Sequence, residues 1–124
     1  MKSIASPDAP AAIGPYSQAM EHQGVVYCSG QIGLTSVGEW AGPDVRIQTR
    51  QALQNLAAVL AEASSHPSQV IRATIFVASM DDFSIVNEEY AAFFGEHRPA
   101  RACIEASRLP KDALVEISCI AATG

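Results

Sequence analysis

The chain has 124 residues, 48% of them hydrophobic, and a formal net charge of −5. That length supports one domain around a single core, and its eight Lys and Arg are scattered rather than gathered into a stripe that could follow a phosphate backbone, so nucleic acid is not expected as a partner. No apolar run approaches the ~20 residues of a membrane span, and Met1 to Pro10 lacks the apolar stretch of a secretion signal, which predicts a soluble cytoplasmic protein with no membrane contact.

In chain order, Pro7, Pro10 and the pair Gly14-Pro15 punctuate an extended start, because proline biases its predecessor away from helix. A strand follows over Gly24-Val25-Val26-Tyr27-Cys28 and ends at Ser29-Gly30, and Thr35 to Pro43 reads as a loop. From about Val45 to Ala63, Leu53, Leu56 and Leu60 recur at helical spacing behind the capping candidate Asp44, with Arg50, Gln51 and Gln54 off that face. The turn Ser64-Ser65-His66-Pro67 leads into Val70 to Val77, whose branched and aromatic residues predict a strand. Phe83, Val86, Tyr90 and Phe93 predict a second helix, with Asp81 and Asp82 near its positive end. Two strand-like segments, Pro99 to Glu105 and Leu114 to Ala122, close the chain.

This order lets both helices cover one side of a sheet, which predicts an α+β two-layer sandwich. A chain this small has no third layer for the opposite sheet face, and an open apolar face is an association surface, so a homo-oligomer is expected. Ile117 and Cys119 are the last-strand positions assigned to that inter-chain face. Cys28, Cys103 and Cys119 match no zinc spacing, and reduced thiols without a disulfide or a metal are expected.

The chemistry concentrates at the C-terminal end. Strand alternation puts Arg101, Cys103 and Glu105 on one face and Ala102, Ile104 and Ala106 on the other. Arg101 offers a planar guanidinium that can grip a carboxylate with two parallel hydrogen bonds. Glu116 interrupts the apolar run Leu114 to Ala122, where a carboxylate needs a partner or a task. On these residues alone, a small-carboxylate site and a structural ion pair both stand.

Several segments together resemble the RidA (YjgF) family of reactive-intermediate deaminases. They are Ala11 to Ala19 with its Gly14-Pro15-Tyr16, Ser29-Gly30-Gln31-Ile32, Gln51 to Leu56, Val86 to Tyr90, Pro99-Ala100-Arg101, and Leu109-Pro110-Lys111 through Val115-Glu116-Ile117. The resemblance spans nearly the whole chain. It implies a chorismate-mutase-like fold, with a mixed six-stranded sheet and two helices on one face, assembled as a homotrimeric barrel with clefts between subunits. It also implies hydrolysis of 2-enamino and 2-imino acids, such as 2-aminoacrylate and 2-iminobutanoate, to 2-keto acids and ammonia, without cofactor or metal.

Carried over by residue, the resemblance makes Arg101 the holder of the substrate carboxylate and Glu116 the group that orients the attacking water. Tyr16 and Asn87 match pocket positions, Tyr16 as a catalytic phenol donor or a ring that closes the cleft, with core packing as its alternative. Asn87 is matched as a substrate contact or a helix-surface amide that ties down the loop before Arg101, while main-chain groups at Cys103 and Gly30 help hold amine or water. Cys103 is not expected to act as a nucleophile, because no histidine stands near it in a recognisable motif. Two departures bear on substrate preference: the short connector Gly95 to Arg98 and the loop carrying Trp40. A non-catalytic metabolite binder or chaperone, or a pathway-specific deaminase, is the alternative. The presence of both Arg101 and Glu116 favours an enzyme, since a general apolar binder does not need the pair.

Overall fold

Along Val115–Ala122 burial alternates without a break: Val115, Ile117, Cys119 and Ala121 are buried, while Glu116, Ser118, Ile120 and Ala122 are half-buried. A period of two is the signature of a strand with one face covered. The computed structural model describes residues 1–124 and places this last strand inside a six-stranded sheet. In chain order the strands are β1 (Lys2–Ile4), β2 (Ala19–His22), β3 (Val25–Gln31), β4 (Val70–Val77), β5 (Ala100–Glu105) and β6 (Val115–Ala122). The spatial order is β1-β2-β3-β6-β4-β5, and only the pair β4/β5 is parallel.

Two helices complete the fold, α1 (Val45–Glu62) and α2 (Phe83–Phe94). Asp44 caps α1 by accepting from the Ile47 amide at 2.9 Å, which satisfies one of the unpaired N–H groups of the first turn. Helix α2 is the crossover that a parallel strand pair requires between β4 and β5. It ends at Gly95, whose φ of 65° a residue with a side chain rarely adopts. The single core joins Leu53, Val59 and Leu60 of α1 and Val86 of α2 to Val26, Ile75, Val77, Val115 and Ile117 of the sheet. The expected α+β two-layer arrangement, six-stranded and mixed with its helices on one face, is therefore the observed one.

Strands β1 and β2 were not among the individual strands expected from the N-terminal sequence. They have three and four residues, and Lys2-Ser3 and Met20-Glu21-His22 carry little strand preference. Pairing along the strong β3 holds them, together with the buried Gln18, whose side chain bonds the Ser6 amide at 2.6 Å, the Ser6 carbonyl at 3.2 Å and the Pro10 carbonyl at 2.8 Å.

One assignment is reversed. Ile117 and Cys119 face the helices and belong to the core. The face left open carries the other parity of β6, Glu116, Ser118 and Ile120, beside their cross-strand neighbours Phe76 and Tyr27, with Ile104 next to Phe76. Alternation separates the two faces of β6, but polarity does not distinguish which parity meets the helices, because both sets contain apolar residues. Ile117→Ala is expected to lower the free energy of unfolding by about 2–5 kcal/mol, whereas Ile104→Ala, at a side chain 49% exposed, should change it by less than about 0.5 kcal/mol in the monomer. Urea titrations of the two variants check this assignment of faces.

Candidate active site

The pairing of β3 with β6 slips between Cys28 and Gln31. Cys28 stands opposite Cys119 and Gln31 opposite Ile117, so Ser29 and Gly30 together oppose Ser118. Two residues against one is a β-bulge, a device that bends a strand and re-aims what it carries. Here it brings the backbone of Gly30 against Glu116. A Cβ at position 30 would lie 2.0 Å from Glu116 Oε2 and 2.8 Å from its Cδ, so only glycine leaves room for the carboxylate.

The Glu116 carboxylate forms neither a hydrogen bond nor an ion pair within the chain. Partial burial with no compensating partner raises its pKa above the ordinary glutamate value. It opens onto a cavity of about 740 Å³, whose lining includes Tyr16, Ser29, Gly30, Ile32 and Lys111. Tyr16 is half-exposed at this cavity with its ring against Gly14, which places it outside the core. Lys111 holds a left-handed backbone at φ 55° and ψ 25°, as does the following Asp112 at φ 58°. The Arg108 to Asp112 ion pair, at 2.7 Å, steadies this turn.

Buried amides on α1 hold the cavity wall, and the sequence reading assigned none of them a role. Asn55 Nδ2 donates to the carbonyls of Ile32 at 3.2 Å and Leu34 at 2.8 Å, while Gln51 Nε2 donates to Asn55 Oδ1 at 2.9 Å. Gln48 Nε2 donates to the Gly42 carbonyl at 3.2 Å, and Gln48 Oε1 accepts from the Leu114 amide at 3.0 Å. Their signal was present in the sequence: Gln48 and Asn55 stand in the same helical stripe as Ala52, Leu56 and Val59, where a polar side chain must find a buried partner. Leu34, itself part of the lining, bridges to Trp40 and closes the loop into a small hairpin at the cavity's rim.

Arg101, Cys103 and Asn87 lie elsewhere. Register places Arg101 beside Ala73, Cys103 beside Ile75 and Glu105 beside Val77, all on the helix-covered face. Arg101 Nη1 donates to Asn87 Oδ1, and its guanidinium carbon sits 4.9 Å from the Tyr90 ring centre and 5.6 Å from that of Phe83. No carboxylate pairs with it, unlike Arg46, Arg50 and Arg108. Glu105 is committed instead to the Met80 amide, at 2.8 Å. Burial pushes the Cys103 thiol up, with Arg101 opposing more weakly, so it is held as a thiol rather than a nucleophilic thiolate. Within one chain the site residues thus form two groups: Tyr16, Gly30 and Glu116 at the cavity, and Arg101, Cys103 and Asn87 at the edge strand. No group of three or more His, Cys, Asp or Glu comes together in a way that could hold a metal ion, and no helix is long and apolar enough to cross a membrane.

The raised pKa of Glu116 has a signed consequence. Above the ordinary glutamate value the unfolded chain releases this proton more readily than the folded one, so stability falls as pH rises through that window. Glu116→Gln is therefore expected to raise the thermal midpoint at neutral pH by roughly 1–4 °C, an advantage that disappears below about pH 4. Thermal melts of both proteins from pH 3 to 8 measure it. Gly30→Ala should keep the fold while displacing the carboxylate from its place, seen as loss of the Glu116-dependent pH effect in the same melts.

A family described as Endoribonuclease L-PSP matches residues 6–123. The chain is 43% identical to a 2-iminobutanoate/2-iminopropanoate deaminase of Salmonella typhimurium, over 97% of this chain and 96% of that protein. Its structure is similar to the crystal structure of the Escherichia coli YjgF gene product, with a TM-score of 0.94, 42% identity and 98% of each chain covered. It is also similar to Escherichia coli TdcF with bound serine, with a TM-score of 0.95, 38% identity and full coverage of both chains. The family match over residues 6–123 and these relatives over nearly the whole chain show that the protein belongs to the L-PSP family, the family also known as RidA or YjgF.

Proposed function

We propose that this protein is a deaminase of 2-imino and 2-enamino acids, such as 2-iminopropanoate and 2-iminobutanoate, and that it acts as a homotrimer whose clefts combine Glu116 of one subunit with Arg101 of another. The observation that carries this reading is the solitary Glu116 carboxylate, desolvated against Gly30 at the wall of a cavity and left without a donor. The deaminase relative at 43% identity supports the reaction, and serine in a related structure supports a small molecule bearing a carboxylate as ligand. The division of the site residues between two regions of the chain supports assembly, because the open sheet face must meet a second copy before Arg101 can approach a cavity holding Glu116.

The chemistry asks little of the protein. The substrate iminium carbon is already electrophilic, so holding the carboxylate and placing one water supplies acceleration by positioning. Arg101 grips the carboxylate. Glu116 takes a proton from the attacking water as its oxygen bonds to C2, giving a carbinolamine, and returns that proton to the nitrogen. The C–N bond then breaks as the C=O forms, Glu116 taking the hydroxyl proton and passing it to the departing ammonia, so one iminium ion and one water become one 2-keto acid and one ammonium ion. Water is the only co-reactant in this balance, and neither cofactor nor metal enters it. Tyr16 closes the cavity over the reacting atoms. The family description names an endoribonuclease, but a chain of net charge −5 with scattered basic residues is poorly suited to follow a phosphate backbone.

An assay that generates 2-aminoacrylate or 2-iminobutanoate in situ and follows loss of the imine tests the reading directly. Arg101→Ala should reduce kcat/KM at least ~100-fold with fold and assembly intact, and Arg101→Lys should also be badly impaired, because a point charge cannot reproduce a two-pronged grip. Cys103→Ala should keep substantial activity. Activity should fall on acidification through the raised Glu116 pKa, as its base form is lost. Light scattering alongside turnover checks assembly: Ile120→Asp, on the open face, should lose both together, and a stable, fully active monomer refutes the shared site.

A further inference from the structure

Arg101 is held by one stripe of α2. Phe83, Asn87 and Tyr90 follow one another at spacings of four and three, the interval at which residues share a helix face. Asn87 occupies one donor of the guanidinium, and the two rings lie under its carbon. Tyr90 is the nearer ring, at 4.9 Å against 5.6 Å, and it is 6% exposed, packed into the core between Val86 and Phe94, whose ring centre is 4.6 Å away. Its hydroxyl is the one buried side-chain polar atom without a hydrogen-bond partner.

We infer that Tyr90 is a positioning residue for the carboxylate-binding arginine, its ring face holding the Arg101 guanidinium in place while leaving that group's remaining N–H donors free. This rests on the functional reading above. The physical argument turns on what kind of support an arginine can have and still bind an anion. A glutamate or aspartate partner, such as those that hold Arg46, Arg50 and Arg108, consumes the in-plane donors and cancels the charge. A ring beneath the guanidinium attracts the cation through its π face and uses no donor. With Asn87 taking a single bond, the fork that a carboxylate needs stays available. The unpartnered hydroxyl adds that the ring, and not its polar tip, is what the position requires, since a buried hydroxyl without a partner is a net cost to the fold.

Because Arg101 holds the carboxylate in ground state and transition state alike, weakening its support should appear in KM rather than kcat. Tyr90→Phe is expected to keep kcat and KM within about twofold and to melt no lower than the parent. Tyr90→Leu should raise KM about three- to thirtyfold, the range set by losing a cation–π contact, with kcat nearly unchanged. Since Tyr90→Leu also opens core volume, the decisive series keeps the ring: Tyr90→Phe carrying one to five fluorine atoms, which drains the π face at nearly constant size. KM should rise steadily with fluorine number while the thermal midpoint holds, a pattern that a packing role would not produce. Loss of activity in a folded Tyr90→Phe, or a KM flat across the fluorinated series, overturns the inference. Calorimetric affinity for pyruvate and 2-oxobutanoate, measured on the same variants, separates it from the functional reading. Binding that weakens with Arg101→Ala and along the fluorine series, without imine turnover in the parent, sustains Tyr90 and refutes the deaminase. Turnover that depends on Arg101 but not on the ring does the reverse, and a parent that neither binds nor turns over refutes both.

Discussion

The last strand occupies the centre of the sheet, between β3 and β4, and everything else is built around its two faces. One parity, Val115, Ile117, Cys119 and Ala121, is fully buried and carries the core shared with α1 and α2. The other parity begins with Glu116. Because side chains alternate strictly, the backbone that carries Glu116 cannot shift register without moving the core residues on either side of it. The backbone position of Glu116 is thus fixed by hydrophobic packing on the opposite face of the same strand.

That placement opposes stability locally. Glu116 is desolvated without a partner, a situation that raises its pKa and penalises its charged form. The surrounding structure offsets this with fully bonded polar groups close by. Gln18 anchors the N-terminal segment, and Asn55 and Gln48 hold the backbone of residues 32–34, Gly42 and Leu114 from below. A wall made of loops is kept in shape by amides projecting from a helix, so the cavity does not depend on the loops' own conformational preferences. The contrast is instructive: the amides of the wall are satisfied, and the one carboxylate facing the cavity is not.

Arg101 shows the same division between support and availability. It lies on the edge strand β5, and its held side faces α2 through Asn87, Tyr90 and Phe83. An edge strand has one row of backbone groups free and one flank open to another chain. Glu116, by contrast, lies on the uncovered sheet face. The two chemically distinctive residues of the chain are therefore set in regions that a second copy could join, and neither is neutralised within its own chain.

How much of this was legible in the sequence follows from the range of the forces involved. Helix α1 could be read from Leu53, Leu56 and Leu60, its cap from Asp44, β4 from its branched residues, and α2 from Phe83, Val86 and Tyr90, because periodicity and capping are local. The co-facing of Arg101, Cys103 and Glu105 followed from alternation alone. Strands β1 and β2 were not legible, since their stability comes from a neighbour rather than from their residues. The roles of Gln48 and Asn55 were legible only as an anomaly, polar residues in an apolar stripe. Which parity of β6 meets the helices, and that a bulge brings Gly30 against the Glu116 side chain, was decided by tertiary structure. A strand's sequence specifies that its two faces differ, but the cover over each face, and the register that sets one backbone against another's side chain, arise from segments dozens of residues away.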